Sequence, residues 1–514
     1  MSSARGVEPA HTGHGPADDL NLPALLAIHA LVWTFAAWAS RANLDLAGDM
    51  VESYVWGIEW QAGYVKHPPL FAWIAGAWFS VMPRADWAYS ALSASNAALG
   101  LLGVAALARR FLPAQPAAIA ALTLAVSPLY TTLAIKFNAN AVLLSFWPWA
   151  AFHFVAYLQS GRRRHAAVCG ALVALALLGK YFSVVLLLTF VVAGLAVPAW
   201  RSRMRGTGPW IALLAGAVVL LPHAAWLVDH QFITLRYASD RSAGDLVSGL
   251  LRLANYSAAQ FAYLLPSAFL LICAVRVGQR RQALSLLMLP TVQPAMRLEL
   301  WWLALGPMLV IAAIAVLAQT PMASVWGMAQ WFAITALWLS ALSHHGVMVR
   351  ASSLRRVMIL YWLAVVLLAP ALGIANAHRG ISAAVEPRAE LAQVAQAQWH
   401  VRTGRELAIV GGVGVEAMSL AFYANGKPRW WNPAAPQTTP WITLADWQRE
   451  GGVIVCMEAD IDCQRVAQTL VATDPVFVSI EKRAWTTNLT PRHYRLYFGE
   501  TSSADSSPTS SPAP

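Results

Sequence analysis

Apolar runs of roughly twenty residues, separated by short polar or basic connections, follow one another from Leu25 to Ile374. A helix that crosses a bilayer needs about 20 such residues. The pattern predicts spans near Leu25–Ser40, Trp87–Ala108, Pro116–Ala134, Val142–Gln159, Ala167–Gly179, Phe182–Trp200, Trp210–Val228, Gly249–Val277, Trp301–Gln319, Met322–Ser343 and Val357–Ile374, about eleven in all. The long polar interruption in this front half is Leu44–Trp73, which sets Asp45, Asp49, Glu52, Glu59, Lys66 and His67 between two apolar segments.

From Ala375 the texture changes. A helical EPRAELAQVAQAQWHV is followed by a strand candidate ELAIVGG, a helix candidate VEAMSLAFYANG, the strand GGVIVCM, a helix near Asp460–Val471 and the strands PVFVSIEKR and HYRLYFGE. Strands alternating with helices predict a small α/β domain over residues 376–500. The GGVG of Gly411–Gly414 lacks the full dinucleotide-binding spacing and reads as a tight turn. Residues 1–21 are expected to be a disordered cytoplasmic tail and 501–514, rich in Ser and Pro, a second disordered tail. Between them lies the transmembrane domain, 22–375, with an outer-face loop at 41–86.

Composition agrees with a membrane protein: 58% of residues are hydrophobic and 12% charged, too little polar surface to cover a soluble globule. The net charge of +11 does not point to nucleic acid, because the arginines cluster between apolar runs. Arg109–Arg110, Arg162–Arg164, Arg201/Arg203/Arg205, Arg276/Arg280/Arg281 and Arg350/Arg355/Arg356 fall at every second connection. By the positive-inside rule these connections are cytoplasmic. The segment Pro68–Met82 must then lie at the outer face as an interfacial or re-entrant helix, because a further crossing there would invert every later cluster. The loop 41–86 and the C-terminal domain are expected outside, which in a bacterium is the periplasmic side of the inner membrane. Met1–Asn21 carries no cleavage site before the first apolar run, so that helix is expected to remain as an anchor. Cys169 and Cys273 read as small hydrophobes; Cys456 and Cys463 can pair as a disulfide if they lie outside the cytoplasm.

Helical spacing puts Asp49, Glu52, Trp56 and Glu59 on one face of a surface helix, with Val51, Val55 and Ile58 on the other. The outward-facing cations Arg41, Lys66, Arg84, Lys136 and Lys180 are isolated, and Lys180 sits within about thirty otherwise apolar residues, where an unpaired charge costs roughly 3 kcal/mol. Isolated cations beside carboxylates at the edge of the bilayer suit a ligand with a membrane-level phosphate and a polar group beyond it, such as a lipid-phosphate-linked sugar. Trp56, Trp60, Tyr64 and Trp73 are candidates to stack on a sugar ring or to form an interfacial belt.

Asp49, then Gly63-Tyr64, then Lys66-His67-Pro68-Pro69-Leu70 and Trp73 resemble the first outer loop of the bacterial glycosyltransferase family 39/83 group. These are GT-C-fold enzymes related to protein O-mannosyltransferases and lipid A aminoarabinose transferases. Ser127-Pro128-Leu129, Lys136-Phe137-Asn138, Gly179-Lys180-Tyr181 and His223–Tyr237 extend the resemblance. It implies transfer of a sugar from a polyprenyl-phosphate donor to a glycolipid (lipid A, lipopolysaccharide) or protein acceptor. It also implies Asp49 as general base with Glu52 beside it, and Lys66 and Lys180 on the donor phosphate. Lys136 and His67 are added to that phosphate set, and Trp56, Tyr64, Tyr181, Asn138 and Asn140 to the substrate contacts. Where relatives carry an acidic residue in the second outer loop, this chain has Asn138 and Asn140, which hydrogen-bond hydroxyls but hold a metal weakly. No metal or cofactor is assigned. The chemistry fits an inverting single displacement, since phosphate leaves as an anion without a general acid. The alternative is a transporter or flippase of lipid-linked sugars.

Overall fold

The computed structural model describes residues 20–41, 43–44, 48–239, 246–317, 322–380 and 385–500; Asp45 and both expected tails but for residues 20 and 21 lie outside them. Helices α1 (Leu22–Ala39), α2 (Asp49–Gly57), α3 (Leu70–Val81), α4 (Asp86–Ala108), α5 (Ala114–Ala125), α6 (Leu143–Ser160), α7 (Arg163–Gly179) and α8 (Val184–Ala196) form the first half. There follow α9 (Pro198–Met204), α10 (Gly208–Asp229), α11 (Ile233–Ser239), α12 (Leu246–Ala274), α13 (Arg280–Met288), α14 (Arg297–Leu317), α15 (Ile334–His344) and α16 (Ala351–Arg379).

Every expected span contains a helix, but the count of eleven does not carry over. Among the described residues six helices, α1, α4, α10, α12, α14 and α16, have the length and apolarity to cross a bilayer, and a bent pair ending in α9 makes up to seven. Of the remainder, α6 is as long as α1 but less apolar, and the others are shorter, with backbone breaks interrupting several of the apolar runs. Proline 198 opens α9 where its missing N–H costs nothing, and the chain turns there by 111°. Ala114–Ala125 gives way to a 3₁₀ turn at Pro128–Tyr130. Met322–Ser343 is helical in its second part, from Ile334. Pro68–Met82 holds the 12-residue α3, an apolar helix too short to span.

Contacts join the basic connections in two groups. Arg110 Nε donates to Gln159 Oε1 at 2.8 Å, and Tyr157 Oη donates to the carbonyl of Arg203 at 2.9 Å, joining three of the clusters. A β-bridge between Val275 and Val349 joins two more. The mantle of α10, α12 and α16 keeps Leu213, Leu251 and Leu367 more than half exposed, as surfaces solvated by lipid tails do. The chain is a multi-pass membrane protein.

The C-terminal region builds a mixed five-stranded sheet in the order β2-β1-β3-β7-β4, from β1 (Ile409–Gly411), β2 (Arg429–Trp431), β3 (Gly452–Met457), β4 (Val476–Ile480) and β7 (Arg492–Gly499). A small hairpin, β5 (Arg483–Ala484) with β6 (Thr487–Asn488), stands apart. β1 runs parallel to β2 and β3, while β7 is antiparallel to β3 and β4. The expected strands at 406–412, 451–457, 475–483 and 493–500 are present. β2 is three residues long, too short for period-two alternation to register. Cys456 on β3 is bonded to Cys463.

This unit sits on the segment between α1 and α4. Phe422 packs edge-on against Tyr54 and Phe79, and Tyr423 Oη donates to Asp86 Oδ1 at 2.6 Å. Arg429 grips Glu59 with both arms, at 2.9 and 2.7 Å. The helix α2 from Met50 to Gly57 is therefore buried between α3 and the C-terminal helix Val415–Tyr423, which corrects the expectation of a surface helix. Two glycines allow the close approach: the backbones of Gly57 and Gly76 touch, and a Cβ on either would stand within 2.4 Å of the other helix's carbonyl oxygens.

Candidate active site

Gly48, in a left-handed conformation (φ 76°), turns the chain so that Asp49 opens α2. A carboxylate in the first turn faces unpaired backbone N–H groups and the positive end of the helix. Asp49 Oδ2 also lies 2.7 Å from Lys136 Nζ and accepts from Asn138 Nδ2 at 3.0 Å. Burial pushes the Asp49 carboxyl up, but Lys136 and Asn138, with His67 nearby, outweigh it and hold the group below its ordinary value.

One turn on, Glu52 meets Lys66 Nζ at 2.5 Å. Burial pulls the Lys66 ammonium down, and Glu52 more than restores it, so the net direction is up. Asp49 and Glu52 thus share a helix face as spacing requires, each with its own cation. Glu59 does not join them. It lies past the end of α2 at Gly57 and turns to Arg429, so the third carboxylate of the expected face is a docking residue.

Asn138 acts first on its own loop: Oδ1 accepts from the backbone N–H of Asn140 and Ala141 at 2.9 and 3.1 Å, an Asx turn that aims Nδ2 at Asp49. Asn140 Oδ1 in turn accepts from Lys180 Nζ at 2.6 Å. Lys180 sits in extended backbone where α7 ends, with its ammonium 4.5 Å from the ring centre of Trp326. The cation inside the apolar run is thus a helix break, and it reaches the Asn138–Asn140 loop that carries Lys136 and contacts Asp49. Next to it, Tyr181 Oη and His223 Nε2 are 2.6 Å apart, and His223 Nδ1 meets the carbonyl of Ala62 at 2.7 Å. That carbonyl only accepts, so Nδ1 carries the proton and Nε2 receives the tyrosine hydroxyl. This chain ties the Lys180 segment to the loop before Lys66.

Two of the expected substrate contacts are buried in the structure. Trp56 is 2% exposed and stacks on Tyr64 at 4.7 Å with the rings near parallel; it is core, because α2 is covered from above. Tyr64 is buried as well and donates to the Trp56 carbonyl at 2.6 Å. His67 packs edge-on against Phe71, and its carbonyl accepts from Tyr64 N–H, which closes the loop before Pro68-Pro69. Arg41 and Arg84 brace backbone carbonyls, of Leu44 and Phe422. Trp326 and the Glu59–Arg429 pair carried no local sequence signal, since each depends on a partner more than 140 residues away. Among the described residues no three His, Cys, Asp or Glu side chains converge.

Residues 66–226 match the family model described as dolichyl-phosphate-mannose-protein mannosyltransferase. The match contains Lys66, Lys136, Asn138, Asn140, Lys180, Tyr181 and His223, while Asp49 and Glu52 precede it. Lipid A galacturonosyltransferase RgtD of Rhizobium johnstonii is 30% identical over 241 residues, covering 44% of this chain and 48% of that protein. The chain thus matches about half the length of this relative. The crystal structure of ArnT from Cupriavidus metallidurans bound to undecaprenyl phosphate superposes with a TM-score of 0.58 at 15% identity, covering 92% of this chain and 97% of that one. The chain is a polytopic membrane protein of the GT-C fold shared with ArnT, and its residues 66–226 are similar to the family model described as dolichyl-phosphate-mannose-protein mannosyltransferase.

Proposed function

We propose that the protein is an inverting glycosyltransferase that moves a sugar from a polyprenyl-phosphate donor to an envelope acceptor, a glycolipid of the lipid A type or a protein, at the periplasmic face of the inner membrane. The observation that carries this reading is the paired arrangement of Asp49 with Lys136 and Glu52 with Lys66, beside the Lys180–Asn140 contact. Three ammonium groups are collected around two carboxylates on one helix face and the adjoining loop. The names of the relatives, a lipid A galacturonosyltransferase and an ArnT with undecaprenyl phosphate bound, point the same way.

The ion pairs describe a resting arrangement. A donor phosphate, a diester with one negative charge, competes with the carboxylates for Lys136, Lys66 and Lys180, and together the three ammonium groups can surround its two non-bridging oxygens. When Lys136 swings to the phosphate, Asp49 loses the partner that holds its proton affinity down, and becomes a better base in the complex than in the resting enzyme. The acceptor hydroxyl gives its proton to Asp49 as its oxygen bonds to the anomeric carbon. The bond from that carbon to the phosphate oxygen breaks with inversion, and the second negative charge of the departing polyprenyl phosphate develops against the lysines. Glu52 then keeps Lys66 oriented, and Asn138 holds Asp49 in place. The basic connections are assigned to the cytoplasmic side, and the region after α16 to the periplasm.

The test is release of polyprenyl phosphate by purified protein in detergent, supplied with donor and acceptor and with no compartments present. Product with inverted anomeric configuration supports the reading; no release from folded protein across uronate, pentose and hexose donors counts against it.

A further inference from the structure

Helices α7 and α10 run in the same direction with their backbones in contact: a Cβ on Gly170 would collide with the carbonyl oxygen of Ala212, and one on Gly216 would stand 3.2 Å from that of Gly170. Small residues at four-residue spacing allow this approach, Ala166, Gly170 and Ala174 on α7 and Gly208, Ala212 and Gly216 on α10. Beside the seam opens a cavity of about 440 Å³, walled on its other sides by Phe154 and Tyr157 of α6, by α8 and by Met204. Phe154 stacks flat on Phe190 at 4.3 Å and stiffens the back wall. The groove is open to the bilayer where its lining residues Leu187, Val191 and Leu213 are exposed. Its one hydroxyl, on Tyr157, donates to the Arg203 carbonyl at 2.9 Å.

From Ala166 to Leu177 the lining follows α7 for about 16 Å, close to one leaflet of a hydrocarbon core about 30 Å thick. Water finds no polar partners in such a space, and an empty wall forgoes its dispersion contacts, so a lipid chain fills it. The kind of lipid is set by the end at which α7 and α10 begin. Arg162 and Arg163 lie one turn before Ala166, and Arg203 and Arg205 flank Met204. These four and Arg164 are exposed, and among the described residues none of the five has a carboxylate partner. Arg201, by contrast, is held by the carbonyls of Leu195 and Ala196 at 2.7 and 3.3 Å. Trp210, 72% exposed, stands at the same end of α10, as indole rings do at headgroup level. At its other end the lining stops at Leu177 and Leu220, about a turn before Lys180 and His223.

An apolar groove one leaflet deep, with uncompensated guanidinium groups at its wet end, is complementary to an amphiphile with an acyl chain and an anionic phosphate head. Guanidinium meets phosphate through charge-assisted, often bidentate, hydrogen bonds, and basic pockets between membrane helices take anionic headgroups. We propose that this groove seats an acyl chain of an anionic glycerophospholipid of the phosphatidylglycerol kind, with its phosphate on the arginines at the start of α7 and around Met204. A zwitterionic phospholipid has the same chains, but its own ammonium offsets the phosphate. The proposed sugar donor would bring its phosphate to Lys180, at the opposite end of α7, so this site is separate from that of the substrate.

The test uses the full chain in detergent, titrated with dioleoyl phosphatidylglycerol, dioleoyl phosphatidylcholine or undecaprenyl phosphate, with bound lipid counted by native mass spectrometry. Variants are Arg163→Gln/Arg205→Gln, Ala217→Phe and, as a charge control at another connection, Arg355→Gln/Arg356→Gln. All four arginines are exposed, and Ala217 lines the groove from an exposed position, so the new ring takes the chain's space without displacing a packed neighbour and each variant is expected to fold. Expected in wild type is a Kd for phosphatidylglycerol at least about tenfold below that for phosphatidylcholine, rising by about tenfold or more in the first two variants and by less than about twofold in the control. Undecaprenyl phosphate binding should be unchanged by Ala217→Phe. Equal Kd for the two phospholipids in wild type, or equal phosphatidylglycerol Kd in wild type and both groove variants, overturns the proposal. So does an equal loss in the control, which reports diffuse surface charge. Undecaprenyl phosphate that displaces phosphatidylglycerol and binds more weakly to Ala217→Phe places the donor's tail in the groove and overturns it as well. None of these readouts involves transfer, so the lipid site and the glycosyltransferase reading stand or fall separately.

Discussion

Replacing Lys136 by Met removes the ammonium 2.7 Å from Asp49 while keeping most of the side chain's length and packing. Two unit charges 4 Å apart attract by about 1 kcal/mol in water and about 4 kcal/mol at an effective dielectric constant of 20. The Lys136 and Asp49 side chains are 30% and 39% exposed, so their interaction falls between those limits and toward the lower one. Asp49 is held below its ordinary pKa against the opposing effect of burial, with Lys136 the largest cause on the lowering side. In the variant the carboxyl therefore rises. Catalysis that needs the carboxylate fails as pH falls through its pKa, so the acid limb of kcat/KM, which reports the free enzyme, moves to higher pH. The missing cation also weakens the donor phosphate by about 10- to 100-fold, equivalent to roughly 1.4–2.8 kcal/mol. The assay is transfer in detergent across pH 4 to 9 at subsaturating donor, together with direct binding of undecaprenyl phosphate. An acid limb that stays in place, or moves to lower pH, with donor affinity within twofold of wild type, would refute the pairing as a functional one.

Lys180→Ala is expected to weaken undecaprenyl phosphate binding by at least tenfold, and Asn140→Ala by less, since the asparagine only orients the ammonium at 2.6 Å; equal binding in Lys180→Ala and wild type would remove Lys180 from the phosphate set. Arg429→Ala leaves Glu59, whose side chain is 6% exposed, without its guanidinium partner, and should lower stability by about 2–3 kcal/mol, seen as a lower Tm and faster proteolysis of the C-terminal unit. Gly63→Ala drives a methyl group into the Trp226 ring and should cost about 1–3 kcal/mol by overpacking, with a parallel loss of transfer.

The helical membrane architecture and the C-terminal α/β unit were legible because both rest on local periodicity: long apolar runs, and strands such as GGVIVCM. The number of spans was less legible, since an apolar run does not disclose a break such as the 111° turn at Pro198. At the site, the i, i+3 relation of Asp49 and Glu52 survived because α2 is regular. What failed was the environment of that helix. Trp56 and Glu59 were assigned to the carboxylate-bearing face of a surface helix, but the Val415–Tyr423 helix and Arg429 cover α2 from more than 350 residues away, and no pattern inside the loop encodes that cover. Asn138 and Asn140 were expected as substrate contacts; in the structure Asn138 shapes its own loop and meets Asp49, while Asn140 meets Lys180.

The central claim is that Asp49 is the base and the surrounding lysines hold the leaving phosphate. Asp49→Asn preserves the shape and the contact with Asn138 while removing both the charge and the proton acceptor. Single-turnover transfer by the folded variant at saturating donor should fall by at least about 100-fold, while undecaprenyl phosphate binding stays equal or tightens because Lys136 has lost its resting partner. A folded Asp49→Asn protein that transfers sugar within a few-fold of the wild-type rate would contradict it.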